Sequence, residues 1–194
     1  MTNESGRFVL YYHGNLSPTL LPESVVRALR FLPDEICLRV VGYETSPEVG
    51  YARHLLEVSE QLRVRNRVEI MTAVPRRELL EICKSADVGI ASVPPSSSDI
   101  NLNALAGASN KVFDYMACGL ALLVPEAPEW EEMFVRPGYA VSCQVEETEA
   151  VSRTVLWLYQ NRDRVREMGN AGRRRILDDW NYETQFSPVL PFLV

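Results

Sequence analysis

The chain has 194 residues, a formal net charge of −6 and a pI near 5.1, so it lacks the positive field that draws proteins onto nucleic-acid backbones. Apolar residues make up 46% and charged residues 24%, an ordinary globular composition that excludes disorder, collagen-like repeats and a disulfide scaffold. The length leads us to expect one domain over residues 1–194.

Short apolar runs alternate with amphipathic stretches along the whole chain. The first run, Phe8–Tyr12, reads as a strand. Glu23–Phe31 follows as a helix that Pro33 stops, because proline lacks the N–H and restricts the residue before it. Ile36–Val41 is the second strand, Val49–Leu62 a helix, Val68–Met71 the third strand and Arg77–Lys84 a helix. After a fourth strand, Val88–Ala91, comes Val93-Pro94-Pro95-Ser96-Ser97-Ser98-Asp99, which continues as irregular chain to Gly107. Long connections of this kind inside compact domains are usually functional or mobile.

Asn110–Cys118 is predicted as a helix with Ser109 at the N-cap and Gly119 where a left-handed residue closes helices. Ala121–Val124 and Ala140–Cys143 are the last two strands, and Glu129–Phe134, Glu147–Tyr159 and Asp163–Asp179 the remaining helices. The basic concentration Arg162 to Arg175 is interleaved with Asp163 and Glu167, the pattern of a solvated helix face. Strands alternating with helices in this way predict an α/β fold: a doubly wound, parallel, six-stranded sheet of the Rossmann-like kind.

No apolar run approaches the ~20 residues of a membrane span, and the polar start Met1-Thr2-Asn3-Glu4-Ser5-Gly6 is not a signal peptide, so a cytoplasmic chain is expected. Cys37, Cys83, Cys118 and Cys143 form no C-x-x-C pair, and each lies in or beside an apolar run where a buried, reduced thiol is expected. His13 and His54 are the only histidines, so no histidine metal cluster is available and no metal site is expected. Walker A, H-E-x-x-H, G-x-S-x-G and G-x-G-x-x-G patterns are all missing, which leaves a nicotinamide site poorly supported.

The richest segment is Ser109-Asn110-Lys111-Val112-Phe113-Asp114. A helix N-terminus offers unpaired N–H groups and the positive end of a dipole, so a diphosphate suits it, and Lys111 adds a full charge. Asp114, one turn further in, is an acceptor-only carboxylate able to take both vicinal hydroxyls of a ribose. The same spacing also permits a plain i,i+3 surface pair between Lys111 and Asp114. At the first strand end, Gly14 lets the backbone turn sharply or approach a ligand closely, with His13 before it and Asn15 after it at the tip.

These segments, in this order, resemble the C-terminal domain of family-four retaining glycosyltransferases with the GT-B fold, over nearly the whole chain. The resemblance is carried by a strand ending in Gly14, a second ending Val40-Val41-Gly42, and Leu62-Arg63-Val64-Arg65-Asn66-Arg67-Val68-Glu69-Ile70 before the third strand. It continues through Ala73-Val74-Pro75 with Glu78-Leu79-Leu80, Lys84-Ser85-Ala86-Asp87-Val88-Gly89-Ile90, Phe113-Asp114-Tyr115-Met116-Ala117-Cys118-Gly119 and Met168-Gly169-Asn170-Ala171-Gly172-Arg173.

That resemblance implies a donor site formed by Gly14, Asn15, Gly42, Ala73, Val74, Ser109, Asn110, Lys111 and Asp114, with the backbone around Ala73 and Val74 facing the nucleobase. In the family a Glu-x7-Glu motif meets the donor, the second acid holding the ribose. Asp114 matches the second position, while the first is Ala106, which carries no acid; Asp99, Asn101 and Asn103 are nearby stand-ins. The family's basic residues after the first strands are also missing, and Lys111 takes their place by the same resemblance. The implied function is binding of a UDP or GDP sugar for retaining, metal-independent transfer, with the nucleotide sugar as substrate and no cofactor. The acceptor, a glycan, lipid or small molecule, would be held by an N-terminal domain absent from this chain, leaving the fragment inactive alone and, in the full-length protein, open to peripheral membrane association. A non-catalytic nucleotide-sugar-binding module and a sugar-nucleotide epimerase of the same fold are the alternatives.

Overall fold

The computed structural model describes residues 6–92 and 106–192. Six strands, β1 Phe8–Asn15, β2 Ile36–Tyr43, β3 Val68–Thr72, β4 Val88–Ile90, β5 Ala121–Pro125 and β6 Ala140–Cys143, form one sheet in the order β3-β2-β1-β4-β5-β6. Every neighbouring pair is parallel. A sheet covered on both faces buries both sets of side chains, so its central strands read as continuous apolar runs. The residues of β1 from Phe8 to His13 and all of β5 are buried accordingly.

Side chains alternate between two cores along each strand. Phe8, Leu10 and Tyr12 face one core with Val25 and Val26 of α1 (Ser24–Ala28), Leu55 and Val58 of α2 (Tyr51–Gln61), and Val151 and Val155 of α5 (Thr148–Gln160). Tyr11 faces the other, with Cys83 of α3 (Arg76–Lys84) and Val112, Tyr115 and Met116 of α4 (Asn110–Cys118). The long helix α6 (Arg162–Asp178) packs on α4 through Gly169: a Cβ there would lie 2.0 Å from the carbonyl oxygen of Gly119, the left-handed residue that ends α4. That contact is the physical content of the Met168-Gly169 segment.

Several boundaries differ from expectation. β1 and β2 extend past Tyr12 and Val41 because their ladder persists through Gly14↔Gly42 and Asn15↔Tyr43; polarity at the strand tips marks access to water rather than loss of pairing. The first helix runs only to Ala28, tightens into a 3-10 turn at Leu29–Phe31 and stops at extended Leu32, ahead of Pro33. Glu129–Phe134 is not one α-helix but a turn at Pro128–Trp130 passing into a π-helical turn at Glu131–Val135. The short helix α7 (Tyr182–Phe186) was not anticipated.

Cys37, Cys83 and Cys143 are buried, Cys118 is half-buried, and all four are free thiols. Arg164 and Arg166 of α6 are exposed and pair with Glu167 and Asp163. No helix among the described residues is long and apolar enough to cross a membrane.

Candidate functional site

Because all strands are parallel, their C-terminal ends share one edge, and the order reverses between β1 and β4. Ligands of open α/β sheets settle at this switch point. There β1 ends in Gly14 at φ +123°, a conformation that suits glycine. Gly42 of β2 is buried behind it: a Cβ on residue 42 would fall 2.4 Å from the Gly14 carbonyl oxygen and 3.0 Å from Leu16 Cγ. Gly42 thus brings the two strand ends together, and Gly14 and Asn15 are half-buried at the rim.

The helix α4 starts against this rim. Ser109 sits at its N-cap with extended backbone (φ −83°, ψ 105°), but its hydroxyl makes no capping bond, and Asn110 is exposed. Lys111 reaches back along β1: a Cβ on Gly14 would lie 3.6 Å from both Lys111 Cδ and Nζ, and the ammonium stands 5.4 Å from the Tyr12 ring centre. Burial pushes its pKa below the ordinary lysine value. Among the described residues no carboxylate comes within ion-pair distance of it.

The i,i+3 pair permitted between Lys111 and Asp114 does not form. Asp114, only 6% exposed, instead accepts two bonds from Arg76, Nη2 to Oδ1 at 2.5 Å and Nη1 to Oδ2 at 2.6 Å, and faces His13 Nε2 at 3.2 Å. Burial acts to raise the Asp114 pKa, but hydrogen bonds and charge from His13 and Arg76 outweigh it and hold the carboxyl below its usual range. His13 is itself fixed: its backbone N–H donates to Tyr115 Oη at 3.0 Å and its ring packs edge-on against Tyr11 and Tyr115. Two buried polar atoms here have no protein partner, His13 Nδ1 and Asn15 Oδ1.

Arg76 was not anticipated. It is the first residue of α3, directly after Ala73-Val74-Pro75 at the end of β3, so its bond to Asp114 brings that segment to α4. Ala73 is exposed and Val74 half-buried. Ala106 is buried, and Asp99, Asn101 and Asn103 lie outside the described residues. His54 is remote from the crevice constellation, bonded to Glu23 at 2.6 Å and stacked on Tyr51. The described residues contain no group of three or more His, Cys, Asp or Glu placed to hold a metal ion. The crevice therefore gathers Gly14, Lys111, His13, Asp114 and Arg76, with His13 and Arg76 on the one carboxylate and Lys111 against Gly14.

No curated protein sequence matches the chain. Among solved structures it is similar to the C-terminal domain of LpcC, a glycosyl transferase group 1 family protein of Francisella tularensis, with a TM-score of 0.73 at 11% identity over 90% of this chain and 87% of that one. HepE of Anabaena, solved with UDP and glucose, gives 0.79 at 14% identity over 97% of this chain and 48% of that one. A glycosyltransferase of Rickettsia africae gives 0.76 at 12% identity over 96% and 47%. The chain thus spans about half the length of the latter two. The family described as "Glycosyl transferase-like" matches residues 23–190, and with that match over most of its length the chain belongs to this glycosyltransferase family and has the fold of a GT-B C-terminal domain.

Proposed function

We propose that this chain binds the nucleotide-sugar donor of a retaining, metal-independent glycosyl transfer. One observation carries the reading: Lys111 holds a partly buried ammonium against the Gly14 backbone at an N-terminus of α4 that no side chain caps. Burying a charge without a partner is unfavourable, and an anionic ligand relieves it. A diphosphate placed there meets Lys111, the first-turn N–H groups of α4 and its dipole, the preorganised electrostatics that stabilise a departing nucleoside diphosphate. The Asp114 carboxylate one turn on takes the ribose hydroxyls, and Ala73 and Val74 lie at the base end. Crystals of the neighbour HepE with UDP and with UDP-glucose support a UDP sugar.

The acceptor would be held by the half of such enzymes that this chain does not span, so the chain by itself binds donor without transferring sugar. The enzyme would work in the cytoplasm, peripheral to the membrane where its acceptor is a lipid. Buried Ala106, at the position of the sugar-side acid, favours a second reading, a nucleotide-sugar-binding module without catalysis. Calorimetric titration of the chain with UDP, GDP and ADP tests the first point: binding of none of them removes the donor-site reading. Sugar transfer measured with the chain joined to an acceptor-binding half separates enzyme from module.

A further inference from the structure

The Asp114 carboxylate has about four lone-pair directions, and three are occupied, by the two Arg76 bonds and His13 Nε2. A ribose diol needs two. The seat is therefore closed in the free protein, and one partner must leave before a ribose is accepted. His13 cannot: it is 6% exposed, lies in β1, and is held by Tyr115 at its backbone and by two aromatic rings at its side chain. Arg76 can, since its side chain is already 63% exposed.

We infer that Arg76 is an exchangeable latch, which closes the ribose seat on Asp114 when the crevice is empty and turns onto the diphosphate when a nucleoside diphosphate enters. The destination is near. Lys111 lies one turn of α4 from Asp114, about 5–6 Å between Cβ atoms, within the sweep of an arginine side chain. There the guanidinium exchanges a carboxylate for phosphate oxygens, which its planar fork also matches in pairs. A nucleoside without phosphates gives Arg76 nowhere to go, so it opens the seat at the full loss of the ion pair. The latch thereby selects nucleoside diphosphates over nucleosides. It also brings a second cation beside Lys111. The neighbouring orphans His13 Nδ1 and Asn15 Oδ1, both acceptors when the imidazole proton sits on Nε2 facing Asp114, stand ready for ligand hydroxyls.

This inference rests on the donor-binding reading, and the test keeps the two apart. Wild type, Arg76→Ala and Arg76→Lys are titrated with UDP, GDP and ADP and with uridine, guanosine and adenosine, with circular dichroism confirming the fold of each. In Arg76→Ala, affinity for the diphosphate that binds wild type should fall about tenfold or more, while its nucleoside binds several-fold tighter than to wild type. Arg76→Lys, which keeps the charge but loses the fork, should show the nucleoside gain with a smaller diphosphate loss. Equal losses for diphosphate and nucleoside, a diphosphate loss with unchanged nucleoside affinity, or no change in either overturn the latch and leave donor binding standing. Failure of wild type to bind any diphosphate removes both.

Discussion

At the scale of single residues, burial makes the Lys111 ammonium costly in the free protein. Burial depresses its pKa, so between the folded and unfolded values the unfolded chain binds more protons, and stability rises with pH through that window. Below that window the charged side chain opposes folding, eased in part by the Tyr12 ring. Lys111→Met should accordingly raise the stability of the free protein by roughly 0.5–2 kcal/mol, in the manner of other binding-site substitutions, while weakening UDP binding by roughly 1.5–3 kcal/mol. Thermal denaturation paired with titration decides it: a less stable variant with unchanged affinity contradicts the role given to Lys111. Lys111 and Gly14 were legible in the sequence because a helix start and a strand end announce themselves locally. Arg76 was not, since it stands beside Arg77 at an ordinary helix start and meets a partner 38 positions away. Only the fold selects which of two adjacent arginines turns inward.

At the scale of elements, the helices were readable where their end signals are local. Gly119 closes α4 in the left-handed conformation its position implied, and Leu120 N donates to the Tyr115 carbonyl across that end. The start of α2 is different. Its N-cap is Gly50 at φ +99°, which has no side chain to cap with, and the capping group arrives from Glu44, whose carboxylate accepts from the backbone of Gly50 at 3.0 Å and Ala52 at 2.5 Å. Those bonds, Ala52 first, hold the Glu44 pKa below the usual glutamate range. A depressed carboxyl stabilises the fold above its unfolded pKa, and that contribution is lost as pH falls through the folded value. Glu44→Ala should cost at most about 1 kcal/mol at neutral pH, the site being open to water, and urea midpoints of variant and wild type should converge in acid. A gap that persists at pH 2 would mean that packing, not the cap, is what Glu44 supplies. The π-helical turn at Glu131–Val135 had no such signal, because its five residues differ in no composition cue from an α-helical turn.

At the scale of the whole molecule, the parallel six-stranded sheet followed from alternating strand and helix patterns, because parallel strands buried on both faces leave few other arrangements. The site does not belong to either half of that sheet. His13, Gly14 and Arg76 come from the β1–β3 half, and Lys111 and Asp114 from the segment joining β4 to β5. A ligand that bridges them binds only the fully assembled protein, so UDP at 100 times its Kd should raise unfolding free energy by about 2.7 kcal/mol, with a single transition throughout. A ligand that shifts one of two separate transitions would show that the halves unfold independently. The central place of β1 has a consequence for synthesis. Within this domain β1 is paired on one side by β2, made soon after it, but its other edge waits for β4, which starts at Val88. Until then the apolar run Phe8–Tyr12 offers an open edge, a template for pairing with other chains. A fragment of residues 1–86, which ends before β4, should therefore aggregate on expression more than the full chain, and light scattering of the two at equal concentration checks it.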